Sequence, residues 1–331
     1  MNFIIRFRLR LALSFYPSKS SSNFLSQRLL ARCSQNRELQ LKKLLEEFGK
    51  MKLGNTSFYC FALLLALGLL GTTAFAQDKT EIKTKSDGFC RHHSYSNGEK
   101  ASFNEVREVT MPAGSLLTVD GQRNGGIWVK GANRSDVLIR ACIQARAGTD
   151  EAARALAGSV RIETGSVVRA EAASEENLSV SYEIHVPRNT NLKLTAKNGG
   201  IGIRGVEGNM EFETVNGGLH LNEIAGDVRG RTANGGLHVE LSGNGWKGSG
   251  LDVQTTNGGV HLSISETFAA NIETGTVNGG WHSSFAELQV ERTDRRPVGG
   301  RLNKALNGGG APVRLITTNG GVHINSKSKS H

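Results

Sequence analysis

The chain has 331 residues but no apolar run long enough to cross a bilayer comfortably as a helix. Its apolar stretch Phe58–Leu70 (FYCFALLLALGLL) has 13 residues, against the roughly 20 that a spanning helix needs. The chain also lacks a dominant charge once its two parts are separated. Of 40 Lys and Arg, 11 lie in residues 1–76, and so do 3 of the 30 Asp and Glu. Residues 77–331 keep 29 basic and 27 acidic side chains, a net of +2 rather than the +10 of the whole chain. That balance excludes the basic footprint of a nucleic-acid binder.

Cysteine is scarce. Cys33 and Cys60 belong to the N-terminal part, leaving Cys90 and Cys142 as an even pair. In an oxidising compartment they are disulfide candidates; the alternative is two buried thiols that never meet. No second cluster completes the CRHH motif at Cys90–His93 as a metal site. No aspartate recurs in every period as a calcium roll requires. Catalytic arrangements are missing as well. Glu240, Asp252 and Glu266 fall at different positions of the repeat, and no Ser/His/Asp or Cys/His set is apparent from spacing. GNGWKG at Gly243–Gly248 has the spacing of a dinucleotide fingerprint, but a strand-like segment follows it where a helix is required. It reads as a glycine-rich turn carrying Trp246, an aromatic that can stack on a sugar or simply pack at a turn.

The N-terminal part reads as processing signals. Lys52, the apolar run and the small-x-small site at Ala74–Ala76 make residues 51–76 a signal peptide, with Met51 as the working start and residues 1–50 a start codon assigned too early. The competing reading is a genuine extension that turns the apolar run into an uncleaved anchor.

What the chain has in abundance is one phrase. TVNGGLH (Thr214–His220) recurs as TANGGLH (Thr232–His238), TTNGGVH (Thr255–His261), TVNGGWH (Thr276–His282) and TTNGGVH (Thr317–His323). The repeated asparagines Asn198, Asn216, Asn234, Asn257, Asn278 and Asn319 are separated by 18, 18, 23, 21 and 41 residues. Within a period the pattern alternates. Leu219 and Leu221 face in while His220 and Asn222 face out, and after the turn at Ala225–Asp227, Val228, Gly230 and Thr232 face in while Arg229 and Arg231 face out. Strand, turn, strand, turn at a period of about 20 residues predicts an all-β, parallel β-solenoid of 18–23-residue coils. The glycine pair is expected to supply positive φ at a corner, the asparagines to form a hydrogen-bonded ladder, and the threonine to bond its own turn.

The expected organisation is a loose segment at 77–100, a β-rich N-terminal cap at 101–190, solenoid repeats at 191–325 and a tail at 326–331. The cap holds one helix, Thr149–Ser159, with Thr149 as N-cap. RNGGIWVKG at Arg123–Gly131 echoes the repeat as an early, imperfect coil.

His220, His238, His261, His282 and His323 should form an outward column. Such a column can share a transition metal, or charge together below about pH 6 and hold an anionic polymer. It can equally be an exposed ladder without a ligand, copied with the coil.

The stretch YEIHVPRNTNLKLTAKNGGIGIRGVEGNMEFETVNGGLHL (Tyr182–Leu221) resembles the bacterial putative-adhesin family of exported β-solenoid proteins. The shared features are VP before the first coil, the NGG corner, and a Gly-Asp/Asn-apolar corner at Gly208–Met210 and Gly226–Val228. The resemblance spans about Val106–Asn325. It implies a surface or periplasmic role without known chemistry.

These readings give an exported, non-enzymatic module that is periplasmic or at the cell surface. Its partner would be an unknown protein or an envelope polysaccharide. It needs no cofactor and no nucleic acid, and keeps no stable membrane span after signal cleavage. The alternatives are a periplasmic regulatory or scaffolding module for an envelope membrane protein, and a carbohydrate-active β-helix enzyme.

Overall fold

The computed structural model describes residues 88–90, 101–172, 174–289 and 299–327. The signal-peptide reading, residues 1–50 and the CRHH residues after Cys90 lie outside them. Among the described residues, no helix is long and apolar enough to cross a membrane.

The chain runs through β1 (Ala101–Pro112), β2 (Leu116–Asp120), β3 (Ile127–Ala132), β4 (Asp136–Ala147), the helix α1 (Asp150–Gly158), β5 (Arg161–Thr164), β6 (Val168–Glu171) and β7 (Leu178–Pro187). The repeats supply β8 (Asn191–Ala196), β9 (Ile201–Arg204), β10 (Glu207–Asn216), β11 (Leu219–Asn222), β12 (Ala225–Asn234) and β13 (Leu237–Glu240). Then come β14 (Gly250–Asn257), β15 (Val260–Ile264), β16 (Ala270–Thr276), β17 (Trp281–Ser283), β18 (Gly300–Leu306), β19 (Pro312–Asn319) and β20 (Val322–Ser326).

These strands build two ten-stranded mixed sheets. The first runs β1-β4-β7-β3-β9-β11-β13-β15-β20-β17 and the second β18-β16-β19-β14-β12-β10-β8-β2-β6-β5. Through the repeats the chain visits the two sheets in turn, and the repeat strands lie parallel to one another in strict register. Leu219 pairs with Leu237 and Leu237 with Val260; Thr214 pairs with Thr232 and Thr232 with Thr255. Like positions therefore lie over like positions. The alternation sends Leu219, Leu221, Val228, Leu237, Val239, Leu251 and Val253 into one continuous apolar core, each 2% exposed or less. At about 25 cal/mol per Å² of apolar surface removed from water, this shared core is the main source of stability, since no single period can cover its own apolar face.

The corners differ from expectation in their cause. Of the first glycines at 199, 217, 235, 258 and 320, only Gly320 (156°) has a positive φ. Glycine is required there by close approach instead. A Cβ on Gly217 would stand 2.2 Å from the carbonyl oxygen of Gly199 one repeat away. Positive φ recurs at the opposite corner, at Gly208 (154°) and Gly226 (119°). The threonine also acts across repeats, not within its own turn. Thr214, Thr232 and Thr255 each donate a hydroxyl hydrogen bond of 2.8 Å to the corner carbonyl of the preceding repeat, at Gly199, Gly217 and Gly235.

Stack order departs from chain order near the end. The asparagine ladder runs 124–198–216–234–257–319–278, with side-chain amide bonds of 2.8–3.2 Å. Asn124 extends it at the head. At the tail, β19 lies between β14 and β16, and β20 between β15 and β17. The 41-residue step reflects this reversal. The chain places β16 and β17 one strand further out, turns back through antiparallel β18, and fills the gap last.

Antiparallel strands close the other end. β4 pairs with β1 and β7, and β5 with β6. Helix α1 packs on β1 and β4 through Ala153 and Ala157. Thr149 caps it by accepting from the Ala152 amide at 3.2 Å, and Arg107 of β1 donates to the Ala157 carbonyl at 2.9 Å. A disulfide joins Cys90 to Cys142 of β4, with Cα atoms 5.4 Å apart.

Candidate functional site

The outer face of the first sheet carries two rows of side chains, set by the register. Counting from β3, the first row is Trp128, Gly202, His220, His238, His261, His323 and His282. Four imidazoles stack in parallel. Ring centroids are 4.8 Å apart from His220 to His238, 4.8 Å from His238 to His261 and 5.0 Å from His261 to His323, with planes within 6° of parallel. His282 follows at 6.2 Å with its plane tilted by 44°.

At the head of the column Trp128 leans across β9 to meet His220, 5.5 Å between centroids. Gly202 makes this possible. A Cβ on Gly202 would fall 2.2 Å from Cε3 of the indole. The indole covers the bare strand as a side chain of residue 202 would have done, and remains 44% exposed.

Two residues further along each strand stands the second row: Lys130, Arg204, Asn222, Glu240, Ser263 and Asn325. Between the rows lies an open groove of about 450 Å³, lined by Trp128, His220, His238, His261 and the members of the second row from Lys130 to Ser263. Glu240 is ion-paired with Lys327 and accepts from the Asn222 amide at 2.6 Å. Lys130 is bound to Glu183, which also takes Arg140. Burial pushes the Glu183 carboxyl up, but the Lys130 hydrogen bond and the Lys130 and Arg140 charges hold it below the usual range. Arg204 is exposed and makes no ion pair among the described residues.

The stacked rings hide their faces against one another and turn their edges outward. The Nε2 edge sits by the corner glycines: His220 Nε2 would be 3.3 Å from a Cβ on Gly218, and His238 Nε2 3.3 Å from one on Gly236. No imidazole of the column makes a hydrogen bond among the described residues. Partial burial lowers the affinity of His220, His238 and His261 for a proton, and neighbouring imidazoles lower it further at His238 and His261. Two imidazolium charges 4.8 Å apart repel by about 3 kcal/mol at an effective dielectric near 20. Adjacent rings therefore resist charging together unless an anion lies beside them.

Metal chelation fits this arrangement poorly. The lone pair of a ring nitrogen lies in the ring plane, so parallel rings aim their lone pairs in parallel and not at one point about 2 Å from each. Among the described residues, no three His, Cys, Asp or Glu side chains converge on a metal position.

The carboxylates singled out in the sequence are not brought together. Glu240 is engaged in the groove as described. Asp252 pairs with Arg314 at 2.7 Å on the other sheet. Glu266 accepts from the Ser326 hydroxyl at 3.2 Å. Trp246 is packed against the core and donates its indole N–H to the Gly226 carbonyl at 3.1 Å, so it serves its turn.

The second sheet holds a feature that sequence reasoning missed. Its outward row reads Lys193, Glu211, Arg229, Asp252, Arg314 and Glu273, alternating in sign strand by strand. Lys193–Glu211 (3.8 Å), Arg314–Asp252 (2.7 Å) and Arg314–Glu273 (3.3 Å) are direct pairs, and Arg301 of β18 closes on Glu273. The signal was present: these residues sit at one offset from their corners. It was hidden because a single strand shows one charge, and the alternation exists only across strands.

No protein-family model and no curated protein matches the chain. Solved structures do. One described as a putative cell adhesion protein from Clostridium sporogenes is 12% identical, covers 69% of this chain and 100% of its own, and gives a TM-score of 0.38. A putative adhesin from Bacteroides fragilis is 7% identical, with 66% and 96% coverage and a TM-score of 0.30. A putative lipid binding protein from Parabacteroides distasonis is 8% identical, with 70% and 98% coverage and a TM-score of 0.23. At such scores the function has to be argued from the chain's own residues.

Proposed function

We propose that this chain is an exported β-solenoid of 18–23-residue coils, a non-enzymatic binding module that lays an extended polymer along the outer face of its first sheet. The observation that carries the reading is the unbroken column from Trp128 through His220, His238, His261 and His323 beside the groove. A polymer with a regular repeat meets the same kind of side chain on every strand of such a face. On the opposite outer face, Lys193, Glu211, Asp252, Arg314 and Glu273 are already paired with one another.

Polysaccharide is the favoured class of ligand. An exposed indole, the amide of Asn222, the hydroxyl of Ser263 and the carboxylate of Glu240 are the apolar and polar groups that a chain of sugar rings uses. Catalysis is disfavoured because Glu240, Asp252 and Glu266 are each engaged apart from the others. The coil count, the signal peptide at 51–76 and a periplasmic or surface location belong to this reading.

Retention on insoluble envelope polysaccharide tests it. Trp128→Ala should weaken retention by about tenfold, the loss of one buried aromatic contact, and Glu213→Gln on the other sheet should not. Equal retention of the parent and Trp128→Ala overturns the proposal. Protease treatment of intact cells separates a surface module, which is degraded, from a periplasmic one, which survives.

A further inference from the structure

We propose that the polymer is an acidic polysaccharide, and that it binds as the histidine column takes up protons, so that association is confined to mildly acidic conditions. This rests on the polymer-binding reading above and adds the charge class of the ligand and its pH dependence.

The argument starts from what faces the column. Above His220 stands Trp128, and below His323 stands His282. On one side are the corner glycines, which bring no charge. On the other, the second row holds one carboxylate, Glu240, neutralised by Lys327. At the head, Lys130 is occupied by Glu183, beside Arg140 and His185. Arg204 is left as the uncompensated charge of the groove among the described residues. The groove is thus weakly positive at neutral pH, and each imidazolium adds one charge to a line already in register.

The stacking couples protons to ligand. Burial and crowding keep His238 and His261 neutral longer than a free histidine as the pH falls. An anionic group beside each strand removes the repulsion between neighbouring rings, so bound polyanion favours protonation and protonation favours bound polyanion, by reciprocity. The exposed indole of Trp128 and the neutral partners Asn222 and Ser263 select sugar rings over a bare string of phosphates.

The test uses the full chain with three soluble probes: polygalacturonate, dextran and inorganic polyphosphate. Calorimetry in two buffers of different ionisation enthalpy reads affinity and proton uptake together. Polygalacturonate should bind about tenfold or more tightly at about pH 5 than at about pH 8, with net proton uptake. The pair His238→Gln and His261→Gln should remove most of that difference. The pair His238→Lys and His261→Lys, charged at both pH values, should bind tightly at both, which guards against a Gln variant that merely misfolds. Trp128→Ala should weaken polygalacturonate and leave polyphosphate unchanged.

Polygalacturonate bound equally at both pH values, or a Lys variant that keeps the pH dependence, overturns the coupling. Dextran bound as tightly as polygalacturonate at about pH 5 overturns the charge class and leaves the polymer-binding reading standing. Polyphosphate bound as tightly as polygalacturonate, with Trp128→Ala without effect on either, overturns the assignment to a sugar. Silence of all three probes, together with no retention on envelope polysaccharide, sinks both proposals.

Discussion

The side-chain amide of Asn319 donates to Oδ1 of Asn257 at 2.8 Å, although Asn278 lies between them in the chain and beyond them in the ladder. The last repeat is therefore a filling piece, held on both sides by strands that precede it. Leu315 of β19 is fully buried between β14 and β16. Leu315→Ala should cost about 3 kcal/mol. Hydrogen exchange should show β16, β18, β19 and β20 losing protection together while β8 to β12 keep theirs. Loss confined to β19 and β20 would mean that the outer strands stand without the inserted coil.

Close approach at the corners predicts a sharp contrast between glycines. Gly217→Ala forces a Cβ into the Gly199 carbonyl and should destabilise by more than about 2 kcal/mol, since the backbone of two coils has to shift. Gly148→Ala meets nothing within 4 Å and should stay within about 0.5 kcal/mol of the parent. Urea unfolding of the two variants checks it; equal costs would remove the crowding argument.

The alternating row on the second sheet predicts a salt-dependent penalty. Arg229→Glu sets a carboxylate between Glu211 and Asp252 in the register. The cost should be about 1 kcal/mol at low ionic strength, since exposed pairs are individually weak, and most of it should vanish near 1 M salt, where charges are screened within about 3 Å. A penalty insensitive to salt would point to packing.

Acid should weaken the fold before any carboxylate is protonated. His220, His238 and His261 bind protons less readily in the folded chain than the ordinary value of 6.5. The folded state then holds fewer protons than the unfolded one just below that value. Their contribution is full above about pH 6.5 and is lost as the pH falls toward their lowered folded values. His185 is shifted the same way by burial, so the column's share is isolated by comparing parent with a His238→Asn, His261→Asn double variant. The urea midpoint of the parent should fall between about pH 7 and pH 5, and that of the variant should fall less. Parallel curves would show that the column carries no linkage.

Much of the molecule is readable in one dimension because its register repeats. Alternation at Leu219–Asn222 says which side chains are buried, and identical heptads say which residues share a row, so the histidine and asparagine rows are legible before any coordinates. Other features depend on which strand lies beside which. The reversal of β16 and β19 is invisible because parallel neighbours leave the same pattern in either order. Trp128 over Gly202 joins positions 74 apart, and neither residue alone announces the other. The corner glycines were readable as necessary, but not for the right reason, because the crowding atom belongs to another coil.

The placement of the last coil has a consequence for how such a chain can change length. The 18-residue units that end at Asn216 and Asn234 begin and finish at equivalent points of the stack. A tandem duplication of the unit that ends at Asn234 would add one strand to each sheet, lengthen the column by about 4.8 Å and contribute one more histidine, with both finished ends unchanged. A unit appended beyond β20 could not pair beside the strand it follows, because β15 and β17 already flank that strand. The molecule can grow by inheritance from its middle, while its two ends stay as they are.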